Sequence, residues 1–386
     1  MVSFDNTENA FKAKSDSDLN RSYFLFKLIS NPVMVKFGAV FAPIALKIGF
    51  KGLIKKTIFR QFVGGENISD CARTIEELGK FNIGTILDYS VEGKESEEDF
   101  EHCKHETIET IKRATNDKNI PFCVFKVTGL ARFALLEKVS AKQQLSESEM
   151  REWKKVKERV EQICEEAYLM NKPIFIDAEE SWIQQAIDDL ANENMARFNK
   201  ERAIVYNTFQ LYRKDRLSYL KESHELAVKG KYHIGAKLVR GAYMEKERKR
   251  ANERNYPAPI QDTKEHSDKD YNLALEYCLE HLNEFGLCAG THNENSSLLL
   301  VELMNKKNIP AEDKRIYFSQ LLGMSDHISY NLTLAGYNVV KYVPYGPVKD
   351  VLPYLIRRAQ ENTSVKGQTG RELSLIIKEK RRRKSR

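Results

Sequence analysis

The chain has 386 residues, 41% of them hydrophobic and 30% charged, with a formal net charge of +7. That composition supports one large core plus accessory helices and excludes an intrinsically disordered chain. No zinc-finger spacing, RNA-binding aromatic motif or distributed basic stripe accompanies the modest positive charge, so nucleic-acid binding is not expected. The six cysteines, Cys71, Cys103, Cys123, Cys164, Cys278 and Cys288, are scattered and read as small core residues in a reducing compartment.

In chain order, the first 82 residues read as a helical arm. From Tyr23 to Phe62 apolar clusters alternate with lysines, including Lys47, Lys51, Lys55 and Lys56. The longest apolar run there, Phe37 to Leu46, is bracketed by Lys36 and Lys47 and is too short to span a bilayer. Such an arm either covers part of the core or lies on a membrane surface.

Beyond it one pattern repeats: a short run rich in β-branched residues, a polar turn, then a helical stretch. The predicted strands are Gly84 to Tyr89, Phe122 to Val127, Pro173 to Asp177, Ala203 to Thr208, His233 to Val239, Gly286 to Gly290, Arg315 to Ser319 and Asn338 to Val343. Predicted helices include Glu147 to Leu169, Ser181 to Leu190 and Tyr271 to Asn283. Eight strand–helix units in this length fit a closed parallel (βα)8 barrel, of α/β class, over 83–366. A doubly wound sheet is the rival, but no Gly-x-Gly-x-x-Gly turn follows an early strand. Residues 367–386 complete the chain as a helix and a basic tail, Lys378 to Arg386, a solvated terminus or a contact for anionic lipid.

In such a barrel, functional residues gather at the C-terminal ends of the strands. Unusual polar residues fall there. Lys126 closes the second strand and Asp177 the third, while Gln210 lies just past the fourth. Lys237, Arg240 and Tyr243 flank the end of the fifth, Thr291, His292 and Asn293 follow the sixth, and Tyr342 closes the eighth. Arg357 and Arg358 then form a doublet at the start of a helix, a fork suited to gripping a small carboxylate. Simpler readings exist: Asp177 could cap the next helix, and a Lys126–Asp177 pair could be structural. His292 has no second ligand at helical or strand spacing, so a metal is not expected there.

Together these stretches resemble proline dehydrogenase, the flavin enzyme of proline catabolism. The resemblance rests on Ile176-Asp-Ala-Glu179, Lys237-Leu-Val-Arg-Gly-Ala-Tyr243, Gly290-Thr-His-Asn293, Leu321-Leu-Gly-Met324, Lys341-Tyr-Val-Pro-Tyr-Gly346 and Tyr354-Leu-Ile-Arg-Arg-Ala-Gln-Glu-Asn362. Leu87-Asp-Tyr-Ser90 and Phe125-Lys-Val-Thr-Gly129 fit the same family. The likeness runs from about residue 83 to 366 and is nearest the single-function branch.

The resemblance implies a distorted barrel with FAD across the strand ends and a helix over the mouth. Arg357 and Arg358 would hold the carboxylate of L-proline, with Glu361 pairing near Arg358. Tyr342 and Leu321 would pack on the ring, Lys126 and Asp177 would form an ion pair beneath it, and Tyr243 would close the pocket. Gln210, Lys237 and Arg240 would face the flavin, and Thr291, His292 and Asn293 would meet the cofactor. Two departures stand out: Lys237 replaces an arginine of the long bifunctional members, and Met244 replaces an aromatic. The implied reaction is hydride transfer from proline C5 to flavin N5, giving Δ1-pyrroline-5-carboxylate, with a quinone as acceptor. The implied setting is the cytoplasm, with peripheral contact at the inner face of a bacterial inner membrane, or the matrix side if eukaryotic. Hydroxyproline oxidation on the same frame, or a non-catalytic barrel that binds proline or flavin, are the alternatives. Tyr342 favours proline, because the hydroxyproline branch carries a small residue there.

Overall fold

The eight β-rich runs become eight strands that close in chain order into a parallel barrel. They are β1 Ile83–Tyr89, β2 Phe122–Lys126, β3 Ile174–Asp177, β4 Val205–Gln210, β5 Ile234–Val239, β6 Phe285–Gly290, β7 Ile316–Leu321 and β8 Val339–Tyr345. This computed structural model describes residues 2–47, 49, 51–90, 95–364 and 368–385, and not the side chains at 32, 39–40, 43–45, 47, 360–364 and 368–369. Three strands run past their expected ends. Phe209 and Gln210 stay in the ladder opposite Leu238 and Val239, β7 reaches Leu321, and Pro344 and Tyr345 pair with Asp88 and Tyr89. A polar residue does not stop a parallel strand whose backbone bonds continue.

The chain forms two compact units, Met1–Glu92 with Gln320–Arg386, and Gly93–Ser319. In Gly93–Ser319, helices alternate with strands: α7 Glu97–Thr115, α8 Phe133–Ser140, α9 Glu147–Leu169, α10 Ser181–Phe198, α11 Arg216–Gly230, α12 Met244–Arg254, α13 Lys264–Glu280 and α14 Glu294–Lys306. Ser146 starts α9 with a reciprocal capping box to Glu149, satisfying two backbone donors that the first turn leaves open. Aromatic rings from several strands meet: Phe122 stacks on Phe175 at 4.6 Å, and Tyr206 and Tyr317 stand edge-on to Phe122 at 5.5 and 4.8 Å.

The other unit holds β1, β8 and the arm, with α1 Thr7–Ala10, α2 Asp16–Ile29, α3 Pro32–Lys47, α4 Lys51–Ile54, a π-helical turn at Lys55–Phe59, α5 Arg60–Phe62 and α6 Ala72–Gly79. Three further helices follow, α15 Asp326–Leu334, α16 Val348–Ser364 and α17 Gln368–Lys384. Phe11, Phe26, Phe62, Val351, Leu355 and Ile376 belong to one buried cluster, so within this unit the arm packs on α16 and α17. The basic tail is helical: Arg383 donates to Asp16 and to the Phe11 carbonyl, and Arg382 to Glu379. These arginines are committed to the arm and to their own helix.

Candidate active site on the strand ends

Residues two apart on a strand share a face, so Phe175 and Asp177 of β3, and Tyr206, Thr208 and Gln210 of β4, share theirs. The aromatic ends pack together, and the polar ends form a charged rim. Asp177 is 8% exposed and Lys237 6%. Lys237 Nζ donates to Asp177 Oδ1 at 2.5 Å and lies 5.0 Å from the Phe175 ring centre. Lys126 Nζ stands 3.9 Å from Asp177 Oδ2. The expected Lys126–Asp177 pair is therefore present at long range, and Lys237, expected to face a cofactor, is the tighter partner. Asp177 does not cap α10, whose N-cap is Glu180 without a side-chain hydrogen bond.

Gln210, expected just past its strand, is the last residue of β4. Its amide nitrogen donates to the Glu179 carbonyl at 2.9 Å. Its buried Oε1 has no hydrogen-bond partner among the described residues, an acceptor that a ligand N–H would satisfy. Arg240 spreads its fork over Asp268 at 2.6 Å, Thr291 at 2.7 Å and Ser296 at 2.9 Å. It thereby fixes the loop after β6, with its guanidinium 4.3 Å from the Tyr271 ring centre. Gly241 follows with φ +142, where a Cβ would sit 2.2 Å from Tyr212, so only glycine fits this turn. Tyr243 is buried and is the N-cap of α12. Thr291 accepts from the Asn293 backbone at 3.1 Å, Asn293 caps α14 through Ser296 N, and His292 between them is half-buried.

One residue with an unusual charge state went unassigned in the sequence reading. Glu179, two residues past Asp177, accepts from both the backbone and the hydroxyl of Thr128, at 3.1 and 2.5 Å. Burial, with the nearby Glu180 charge, pushes its pKa up to about 8 despite Thr128 and Lys126. That shift favours the protonated carboxyl at neutral pH. The signal was available, since Glu179 ends the quoted Ile176-Asp-Ala-Glu179 stretch.

In the other unit, Leu321 ends β7 and packs on the arm's apolar cluster. Tyr342 is buried and lies mid-strand in β8, opposite Ile86, rather than at the strand end. Arg357 and Arg358 sit in the middle of α16, not at its start. The helix begins early, at Val348, and continues through Pro353. Arg357 is half-buried, while Arg358 is 7% exposed, its guanidinium 5.1 Å from the Tyr354 ring centre. The side chain of Glu361 lies outside those described. A buried cation also supports this region: Lys341 Nζ reaches Asp326 at 3.0 Å and the Met324 carbonyl at 2.5 Å, and Lys14 reaches Asp326 at 2.8 Å. Burial would raise the Asp326 pKa, but the two ammonium groups hold it well below the usual carboxylate range.

A closed (βα)8 barrel with charged groups at strand C-terminal ends has the arrangement of barrel enzymes. The family model for proline dehydrogenase matches residues 71–371. "Proline dehydrogenase 1, mitochondrial" of Dictyostelium discoideum is 32% identical, over 98% of this chain and 74% of that protein. "Hydroxyproline dehydrogenase" of Xenopus laevis is 30% identical, over 97% and 88%. Among solved structures, proline utilization A from Bdellovibrio bacteriovorus inactivated by N-propargylglycine matches with a TM-score of 0.77 at 20% identity. That match covers 95% of this chain and 42% of the other, so the chain spans less than half of that larger protein. This chain belongs to the proline dehydrogenase family. Membership supports an oxidoreductase that acts on proline.

Proposed function

We propose that the chain oxidises L-proline to Δ1-pyrroline-5-carboxylate with FAD and passes the electrons to a quinone. The observation that carries this reading is the buried Asp177–Lys237 pair with Lys126, on the strand ends of a chain matched over 71–371 by the family model. FAD, when bound, would accept a hydride from the proline ring. The residues fit that group: the buried, partnerless Gln210 Oε1 suits an imide N–H, and Lys237 and Arg240 supply positive charge for electron-rich reduced flavin. Thr291, His292 and Asn293 would complete the cofactor contacts.

The chain's own side chains bind and orient. Arg357 and Arg358 fix the carboxylate with charge-assisted bonds, and Tyr342 and Leu321 pack on the ring. Lys126 and Lys237 disfavour a protonated substrate amine. Anaerobic addition of L-proline to the purified protein tests this: the visible flavin band bleaches. A spectrum without a flavin band rejects the reading. Bleaching by 4-hydroxyproline alone selects the second reading, which the Xenopus laevis relative raises and the large Tyr342 side chain opposes.

The quinone would be met at a membrane surface. In support, the arm exposes Phe24, Leu28, Met34, Phe37, Phe41 and Leu53. An apolar cavity of about 550 Å³ lies within the same unit, walled by residues such as Leu28, Val35, Ile54 and Ile356. Among the described residues no helix is long and apolar enough to cross a membrane, so such contact is peripheral. Co-sedimentation with anionic liposomes, lost at high salt, checks it.

A further inference from the structure

Away from the strand-end charges, three side chains converge that the proposed reaction does not use. His224 lies on α11, His281 follows α13, and Glu284 directly precedes β6. Their nitrogen and oxygen ligand atoms all lie within 4.8 Å of one another. His224 is 6% exposed, and its Nε2 is buried without a hydrogen-bond partner among the described residues. Its other nitrogen, Nδ1, is 2.8 Å from the Tyr277 hydroxyl. With Nδ1–H donating to Tyr277, Nε2 keeps a lone pair without a hydrogen-bond partner among the described residues. The rings hold this arrangement: His224 and His281 lie 4.7 Å apart, and His224 and Phe285 4.9 Å.

A buried ring nitrogen with no donor facing it is costly, and a metal ion removes that cost. We propose that His224, His281 and Glu284 bind one divalent transition-metal ion of the zinc class, with water in the remaining position. Two imidazoles and one carboxylate suit zinc, whereas magnesium and calcium prefer all-oxygen sites. Tyr277 acts as the outer partner that fixes the tautomer, as second-shell groups do around metal-bound histidines. The bound ion pins α11 to the turn between α13 and β6. The half-buried His281 and Glu284 side chains draw inward to reach bonding distance.

The test uses the full chain, stripped with a chelator and titrated with Zn²⁺ by calorimetry and thermal unfolding. One equivalent binds and raises Tm, as expected when a ligand prefers the folded state. His281→Asn and Glu284→Gln, both at half-buried positions that tolerate substitution, each weaken binding at least about tenfold. Tyr277→Phe keeps every ligand yet weakens binding by roughly tenfold. Proline turnover in Glu284→Gln equals that of the unaltered chain. Failure to saturate at one ion per chain overturns the proposal. So does an affinity in both ligand variants equal to that of the unaltered chain, or an equal Tm rise with Mg²⁺.

Discussion

The two ends of the β2–β7 strands make an instructive contrast. On one shared face, β2 to β5 each carry an aromatic residue or glycine near the start and a polar residue near the end. Phe122 precedes Lys126, Phe175 precedes Asp177, Tyr206 precedes Gln210, and Gly235 precedes Lys237. At the floor, Tyr206 occupies space that two glycines leave open: a Cβ on Gly235 would lie 2.6 Å from its ring, and one on Gly286 2.3 Å from its hydroxyl. That end is held by shape and dispersion. The rim is held by a few paired charges, each expensive to leave alone. The same strand can therefore lose stability by two different routes, and only the rim route should also remove chemistry.

The largest break is expected at Asp177. Asp177→Ala leaves the Lys237 ammonium buried beside Phe175 without its 2.5 Å partner. We expect a stability loss of about 3–5 kcal/mol, read by urea unfolding, together with loss of proline turnover. Lys126→Met should cost clearly less, because Lys126 stands 3.9 Å from Asp177. Equal losses from the two variants would contradict the division of roles between the lysines.

Arg357→Met and Arg358→Met test the carboxylate grip in the other unit. Each should lower kcat/KM for proline by about 2–5 kcal/mol of transition-state binding, with flavin content retained. Proline kinetics unchanged from the parent chain would refute the grip. Tyr342→Ser then probes ring shape: removing a buried aromatic should shift the ratio of kcat/KM for 4-hydroxyproline over proline upward, by roughly 10- to 200-fold. A constant ratio would mean that Tyr342 does not meet the ring.

The floor supplies the control. Phe122→Leu removes ring contacts with Phe175, Tyr206 and Tyr317 and should cost about 1–2 kcal/mol of stability. KM for proline should not move. A large KM change would show that floor and rim are coupled rather than separate.

Much of this contrast was legible in the sequence. Eight β-rich runs alternating with helical stretches gave the barrel, and lysine, aspartate and glutamine at their ends gave the rim, because period-two alternation is a local property. Which lysine pairs with Asp177 was not legible. Lys126 and Lys237 are each on strands of the same closed sheet, and only the register, Thr208 opposite Lys237 and Lys126 opposite Asp177, and the side-chain reach decide it. Helix bounds failed similarly at α16: the start of the helix at Val348 and its passage through Pro353 place the arginine doublet mid-helix rather than at a helix start. The convergence of His224 with His281 and Glu284 had no sequence signal, since 57 and 60 residues separate them by the numbering.

The prediction that reads the rim's charge state directly belongs to Glu179. Its pKa is pushed up to about 8 by burial, against an ordinary value of 4.5. The folded chain therefore holds a proton that the unfolded chain releases anywhere between those values. Stability from this group is fully present below pH 4.5 and declines as pH rises toward 8, by at most about 1.4 kcal/mol per pH unit. Glu179→Gln keeps an amide oxygen that accepts from the Thr128 backbone, and it cannot ionise. Unfolding free energies measured across this window should fall for the parent chain relative to the glutamine variant, and the gap should stop growing above the upper value. If the two chains instead track each other with pH, Glu179 is ionised in the folded state, and the Lys126 and Lys237 charges must be shared between two carboxylates rather than committed to Asp177.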